Sequence, residues 1–204
     1  MNVRRAGPPP RAAAPGARRG ATARLPGEVR LIGGQWKRSR LPVPDRPGLR
    51  PTPDRVRETL FNWLGQDLAG WRVLDAFAGS GALGFEAASR GAAEARLLER
   101  DPALARLLAA TSERLGAKTV AVTCADALAW MARCEPARFE LVLLDPPFEA
   151  DCLEPAIARA SALVAPGGYL YVEASHPIDP PAGYEAWRTL QAGAVHAHLF
   201  RHAG

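Results

Sequence analysis

Asp145-Pro146-Pro147-Phe148 is the segment of this chain that carries the most specific chemistry. Two consecutive prolines remove two backbone N–H donors, so the segment offers only acceptors: carbonyl oxygens and the Asp145 carboxylate. An exocyclic amine of a nucleobase has two N–H donors and a lone pair drawn into its ring. Acceptors on both hydrogens orient that amine and let the lone pair turn toward an electrophile. Phe148 is of the type that stacks on a base taken out of its stack. A second cluster lies upstream, at Asp75-Ala76-Phe77-Ala78-Gly79-Ser80-Gly81-Ala82-Leu83-Gly84. Its glycines satisfy G-x-G-x-x-G, a pattern that by itself suits a nicotinamide or flavin dinucleotide equally well. Asp75 shifts the balance, because a carboxylate beside the loop repels a pyrophosphate and attracts the ammonium of an amino-acid-bearing cofactor, which favours S-adenosylmethionine. Glu99, twenty residues after Gly79, is placed to accept hydrogen bonds from ribose hydroxyls. Asp126 suits an adenine amino group and suits a helix N-cap equally well.

These residues need elements that bring them to one place. From Trp71 onward, apolar runs at 73–77, 95–99, 119–123, 139–144 and 169–173 alternate with helical stretches at 82–90, 102–115, 126–134 and 152–164. That alternation predicts a parallel sheet covered on both faces, with Asp75, Glu99, Asp126 and Asp145 all at strand ends. Runs at 185–191 and 194–201 around Gly193 predict a terminal antiparallel hairpin. Ahead of the sheet, residues 29–32 and 35–38 flank Gly33-Gly34 and read as a short hairpin with a basic surface carrying Trp36. Four prolines within 41–51 predict an extended connector. A helix follows with Thr52 as N-cap, Pro53 at its first position, and Val56, Leu60, Trp63 and Leu64 on its apolar face, up to Gly65. Trp63 on that stripe reads as core.

Charge divides the chain. Residues 1–57 hold 14 Arg or Lys against three acids, a net of +11, whereas residues 58–204 hold 12 against 18, a net of −6. A basic front on an acidic body fits a polyanion partner. We divide the chain into a basic disordered tail at 1–27, a hairpin-and-helix extension at 28–65, and an α/β domain at 66–204. No apolar run is long enough for a membrane span and no secretory signal is evident, so a cytoplasmic location is expected. Cys124, Cys134 and Cys152 form no C-x-x-C pair, and the four histidines lack partners at ligand spacing, so neither disulfides nor a metal are expected.

The D-P-P-F tetrad with the D-x-F-A-G-S-G loop resembles the Rossmann-like amino-methyltransferases of adenine N6 and guanine N2. Arg30-Leu31-Ile32-Gly33-Gly34-Gln35-Trp36, Leu49-Arg50-Pro51-Thr52 and Asp54-Arg55-Val56-Arg57-Glu58-Thr59-Leu60-Phe61-Asn62 narrow the resemblance to the RsmD family of 16S rRNA guanine-N2 methyltransferases, over residues 28–204. That resemblance implies a class I fold with a seven-stranded, mostly parallel sheet. It implies S-adenosylmethionine bound by Asp75, Phe77, Ala78, Gly79, Ser80, Gly81, Glu99, Arg100, Asp126, Ala127 and Asp145. The target base is expected at Asp145, Pro146, Pro147 and Phe148. Arg38, Arg40, Arg50, Thr52, Arg55 and Arg57 are the expected RNA contacts, with a cofactor-carboxylate contact as the alternative for Arg50 and Arg57. The implied partner is 16S rRNA in the small subunit or its assembly intermediate, and a monomer is expected. The rivals are a DNA adenine-N6 methyltransferase, an inactive RNA-binding assembly factor and a dinucleotide-dependent oxidoreductase.

Overall fold

Seven strands, five helices and a detached hairpin account for the computed structural model, which describes residues 27–46, 52–147 and 152–204. The α/β alternation forms as expected: β3 (Arg72–Asp75), α2 (Ala82–Ser89), β4 (Glu94–Glu99), α3 (Pro102–Leu115), β5 (Val120–Cys124), α4 (Ala127–Met131), β6 (Phe139–Leu144), α5 (Leu153–Ser161) and β7 (Val164–Ala174). Local chemistry sets several boundaries. In α3, Asp101 accepts from the N–H groups of Ala103 and Leu104, and Pro102 occupies the first turn, where its missing N–H costs nothing. β7 starts five residues earlier than the apolar run suggested, because Val164 pairs with Phe139 ahead of a register shift that resumes at Tyr169.

The sheet order is β5-β4-β3-β6-β7-β9-β8, with β8 (Tyr184–Ala192) and β9 (Val195–His202) closing it. All pairs through β7 are parallel, whereas β9 runs antiparallel between β7 and β8. The expected terminal hairpin is therefore present, with its last strand inserted into the sheet. Winding reverses between β3 and β6, which opens a crevice at their carboxyl ends where ligands bind open α/β sheets.

Three apolar clusters hold this together. α4 and α5 pack on one face, through Met131, Ala156 and Ile157 against Leu74, Val142 and Phe200. α1 (Asp54–Trp63) covers the other through Val56, Leu60 and Phe61 against Val73, Leu141 and Leu199, with Trp63 half-buried at its edge. The third joins the N-terminal hairpin to α2 and α3, through Val29, Leu31, Leu41 and Val43 against Phe85, Ala88 and Leu108, with Trp36 packed alongside.

The front of the chain departs from the expectation in two places. The hairpin pairs β1 (Gly27–Arg30) with β2 (Arg40–Val43), so its second strand lies in the stretch assigned to a connector, while 35–38 forms a turn. Pro42 is accommodated because a two-stranded ribbon has free edges that demand no N–H. Thr52 does not cap α1: Pro53 holds the N-cap position without a side-chain bond.

Candidate active site

Two carboxylates flank the crevice. Asp75 ends β3, and β6, which ends just before Asp145, is its hydrogen-bonded neighbour, with Asp75 paired to Leu143. Asp75 is buried and its Oδ2 accepts the N–H of Gly84 at 2.9 Å, inside the first turn of α2. A side chain at Gly84 would place Cβ 2.6 Å from Leu97 Cδ1 and 2.9 Å from that same oxygen. Glycine there is what lets the helix approach the carboxylate. Burial, with Glu99 and Glu173 adding like charge, pushes the Asp75 carboxyl up to about 7, although the Gly84 and Phe77 amides oppose the shift.

Glu99 at the end of β4 organises the glycine loop. One of its oxygens accepts the Gly79 N–H at 3.0 Å and the other the Asp101 N–H at 2.8 Å. Each oxygen keeps a second lone pair for a ribose hydroxyl. Ala78, Ser80 and Gly81 are buried in the loop, and Phe77 is half-buried against the α4 and α5 side. Asp126 does cap α4, accepting from Ala129 N–H at 2.8 Å, and Ala127 is buried beneath it. The Arg100 side chain is exposed.

Asp145 is not alone. The Thr52 hydroxyl donates to its Oδ2 at 3.2 Å, and the same hydroxyl favours the ionised form of the buried Glu173 near the end of β7. The Tyr171 hydroxyl donates to Glu173 Oε1 at 2.8 Å. Burial first, then the charges of Glu173 and Asp75, raise the Asp145 carboxyl well above its ordinary range, with Thr52 opposing. Burial likewise raises Glu173 against the Tyr171 and Thr52 bonds, and it raises the Tyr171 hydroxyl, so the phenol stays protonated. Pro146 is buried and Pro147 exposed, whereas Phe148 lies outside the described residues. Glu173 and Tyr171 were not among the expected site residues. The signal was present: a glutamate inside the apolar run Tyr169 to Ala174 is anomalous in a strand buried on both faces.

No described cation pairs with Asp75, Asp145 or Glu173. A low-dielectric crevice holding three such carboxyls favours a ligand that brings its own positive charge. S-adenosylmethionine, with an ammonium and a sulfonium, fits that donor set, and a pyrophosphate does not.

The expected RNA contacts divide. Arg57 is fully buried and spent on the protein, where its guanidinium bonds Glu86, Asp54 and the carbonyls of Arg30 and Thr52. Neither Arg57 nor Thr52, which is 5% exposed, is available to a phosphate. A basic helix start looks the same in sequence whether it faces water or core, and here Arg57 and Thr52 face the core. Glu86 accepts the N–H groups of Ile32 and Gly33 at 2.8 Å each and also pairs with Arg90. Gly34 lies so close to α2 that a Cβ would sit 1.8 Å from the Ser89 carbonyl, so Gly33-Gly34 serves to dock the hairpin and not to turn it. Arg38, Arg40 and Arg55 are exposed, with Arg40 paired to Glu28 at 2.6 Å. Beside them an open groove of about 480 Å³ runs between hairpin and α1, lined by Gly33, Lys37, Glu58 and Arg90 among others. Arg50 lies outside the described residues. Among the described residues no helix is long and apolar enough to cross a membrane.

Comparison with known proteins agrees with this geometry. The family described as Conserved hypothetical protein 95 matches residues 29–201. Ribosomal RNA small subunit methyltransferase D of Escherichia coli K12 is 42% identical over 180 residues, covering 86% of this chain and 90% of that protein. The protein of the same name from Haemophilus influenzae is 37% identical over 182 residues, covering 86% and 94%. A solved structure described as a putative methyltransferase, yhhF, from Escherichia coli superposes with a TM-score of 0.78 at 41% identity, covering 86% of this chain and 98% of that one.

Proposed function

Since this chain belongs to the family described as Conserved hypothetical protein 95, we propose that it transfers a methyl group from S-adenosylmethionine to the N2 amine of a guanine in 16S rRNA. The observation that carries this reading is the placement of Asp75 at the end of β3 and of Asp145 just past the end of the neighbouring β6, one carboxylate suited to a cationic cofactor and the other to an amine. The relatives named ribosomal RNA small subunit methyltransferase D support an rRNA substrate.

The bound cofactor supplies an electrophilic methyl group. The chain's own part is placement. Glu99 holds the glycine loop by the Gly79 amide, so the loop meets the cofactor already shaped. Asp145 and the carbonyls beside its prolines take the two amine hydrogens, and the nitrogen lone pair turns toward the methyl group. The proton released from the methylated nitrogen passes to Asp145 or to water. No covalent enzyme intermediate is required. Arg38, Arg40 and Arg55 offer phosphate contacts on the rim, and Arg50 is proposed with them. We assign residues 28–65 to an RNA-facing extension of the 66–204 methyltransferase domain. The enzyme is read as a cytoplasmic monomer that acts on the small subunit or its assembly intermediate.

Transfer of radiolabelled methyl to undermethylated 30S particles, naked 16S rRNA and duplex DNA tests the reading, with Asp145→Ala as control. We expect N2-methylguanine in rRNA and a loss of about 100-fold or more in the variant. Label confined to DNA selects the adenine-N6 reading, and absence of transfer despite cofactor binding selects the assembly-factor reading.

A further inference from the structure

Asp145, half-buried just past the end of β6, and the buried Glu173 on the neighbouring parallel strand β7 have the Thr52 hydroxyl between them. The Thr52 hydroxyl has a single hydrogen and two lone pairs, so it can donate to one carboxyl and accept from the protonated form of the other. Tyr171 donates to the far side of Glu173 at 2.8 Å and has no reason to take a proton from it. The chain of groups is therefore Asp145, Thr52, Glu173, Tyr171, and it dead-ends at a buried phenol. We propose that Glu173 is a positioning residue whose negative charge keeps one proton on Asp145, with the Thr52 hydroxyl between them easing that repulsion, so that arrival of the cofactor's sulfonium expels this proton and readies Asp145 to accept the amine.

The groups facing the pair come from every neighbouring element. Asp75 stands at the end of β3, with Glu99 beyond it on β4, and both are acidic. Tyr171 lies on β7 itself. On the α1 side, the Arg57 guanidinium reaches the Thr52 carbonyl but is committed to Glu86 and Asp54. Two like charges in such a place oppose each other's ionisation, which favours keeping one proton on the pair. The Tyr171 bond favours Glu173 as the anion and leaves the proton on the Asp145 side, the Thr52 hydroxyl then turning to accept from Asp145 and donate to Glu173. Once Asp145 is ionised, the hydroxyl donates to Asp145 as in the structure. A cation beside Asp145 reverses that preference, and the Asp145 O–H bond breaks with its proton going to solvent. After transfer, an N–H bond of the methylated amine breaks and the Asp145 O–H bond forms again. The cofactor product is a neutral thioether, so the resting protonation state is restored as the positive charge disappears.

This inference rests on S-adenosylmethionine being the cofactor, and its test needs no RNA. Calorimetric titration of the full chain near neutral pH, in buffers of different ionisation enthalpy, counts the protons released by S-adenosylmethionine and by S-adenosylhomocysteine. Both ligands carry the ammonium that Asp75 would hold, and only the first carries the sulfonium. We expect S-adenosylmethionine to release about half a proton or more beyond its product, and Glu173→Gln to cut that excess at least about twofold by removing the like charge. Thr52→Val keeps both charges, removes the hydroxyl that favours their ionised forms, and is expected to hold or increase the excess. In single-turnover pH profiles the acid limb moves to lower pH in Glu173→Gln and to higher pH in Thr52→Val. A merely structural role would lower the rate at every pH without moving the limb. Equal release by both ligands, or a limb that stays in place in both variants, overturns the proposal. Should Glu173→Gln not fold, Thr52→Val decides by the direction of its shift. Normal proton release without methyl transfer to rRNA would overturn the substrate reading alone.

Discussion

Two charge clusters, one around Glu86 of α2 and one at the crevice, behave in opposite ways. At the hairpin dock, Glu86 is wholly buried but answered by Arg57, Arg90 and two backbone N–H groups, so every charge has a partner. At the crevice, Asp75, Asp145 and Glu173 have hydroxyl and amide donors but no described cation. A compensated cluster locks a position and asks nothing of a ligand. An uncompensated one holds its acids above their ordinary range and is relieved only when positive charge arrives. The same residue types thus build the scaffold in one place and the site in the other.

The largest effect should come from breaking the compensated cluster. Arg57→Met leaves Glu86 buried with one cation fewer and should destabilise the chain by about 3–5 kcal/mol in urea unfolding. A change under about 1 kcal/mol would show the dock to be no more than a surface pair. At the crevice the sign is reversed. Asp75 titrates at about 7 when folded, against an ordinary value near 3.8. Its contribution to stability is thus fully present below the ordinary value and is lost as pH rises through the folded one. Asp75→Asn should remove this dependence from the cofactor-free protein, flattening the stability curve between those limits by at most about 1.4 kcal/mol per pH unit. Parallel curves for the two proteins would contradict an ionisable, uncompensated Asp75. The smallest effect belongs to the exposed rim. Arg38→Ala should weaken RNA binding and lower its salt dependence by about one counterion, whereas Arg57, being buried, contributes no such slope. An unchanged slope in Arg38→Ala would remove the hairpin from the RNA surface.

The parts that could be read in sequence are those governed by neighbours along the chain. α3 and β6 fall on the expected residues because the apolar period, Asp101 with Pro102, and Gly116 act locally. Asp75, Glu99, Asp126 and Asp145 could be placed because parallel strands put their ends on one edge. The hairpin register could not be read from Gly33-Gly34, since those glycines answer to Ser89 and Glu86, more than fifty residues away. Thr52 looked like a cap because a hydroxyl before a helix usually is one; its actual partner is 93 residues distant.

By itself, then, the sequence determined the class of fold, the cofactor loop and the acceptor-only segment, because periodicity, proline chemistry and strand-end placement are local properties. Only the tertiary structure decided which charges are answered. Whether Arg57 faces RNA or Glu86, and whether Glu173 is a strand residue or a partner of Asp145, depends on how β6, β7 and α1 pack. Burial and distance, which set the cost of a charge, exist only once those elements have met.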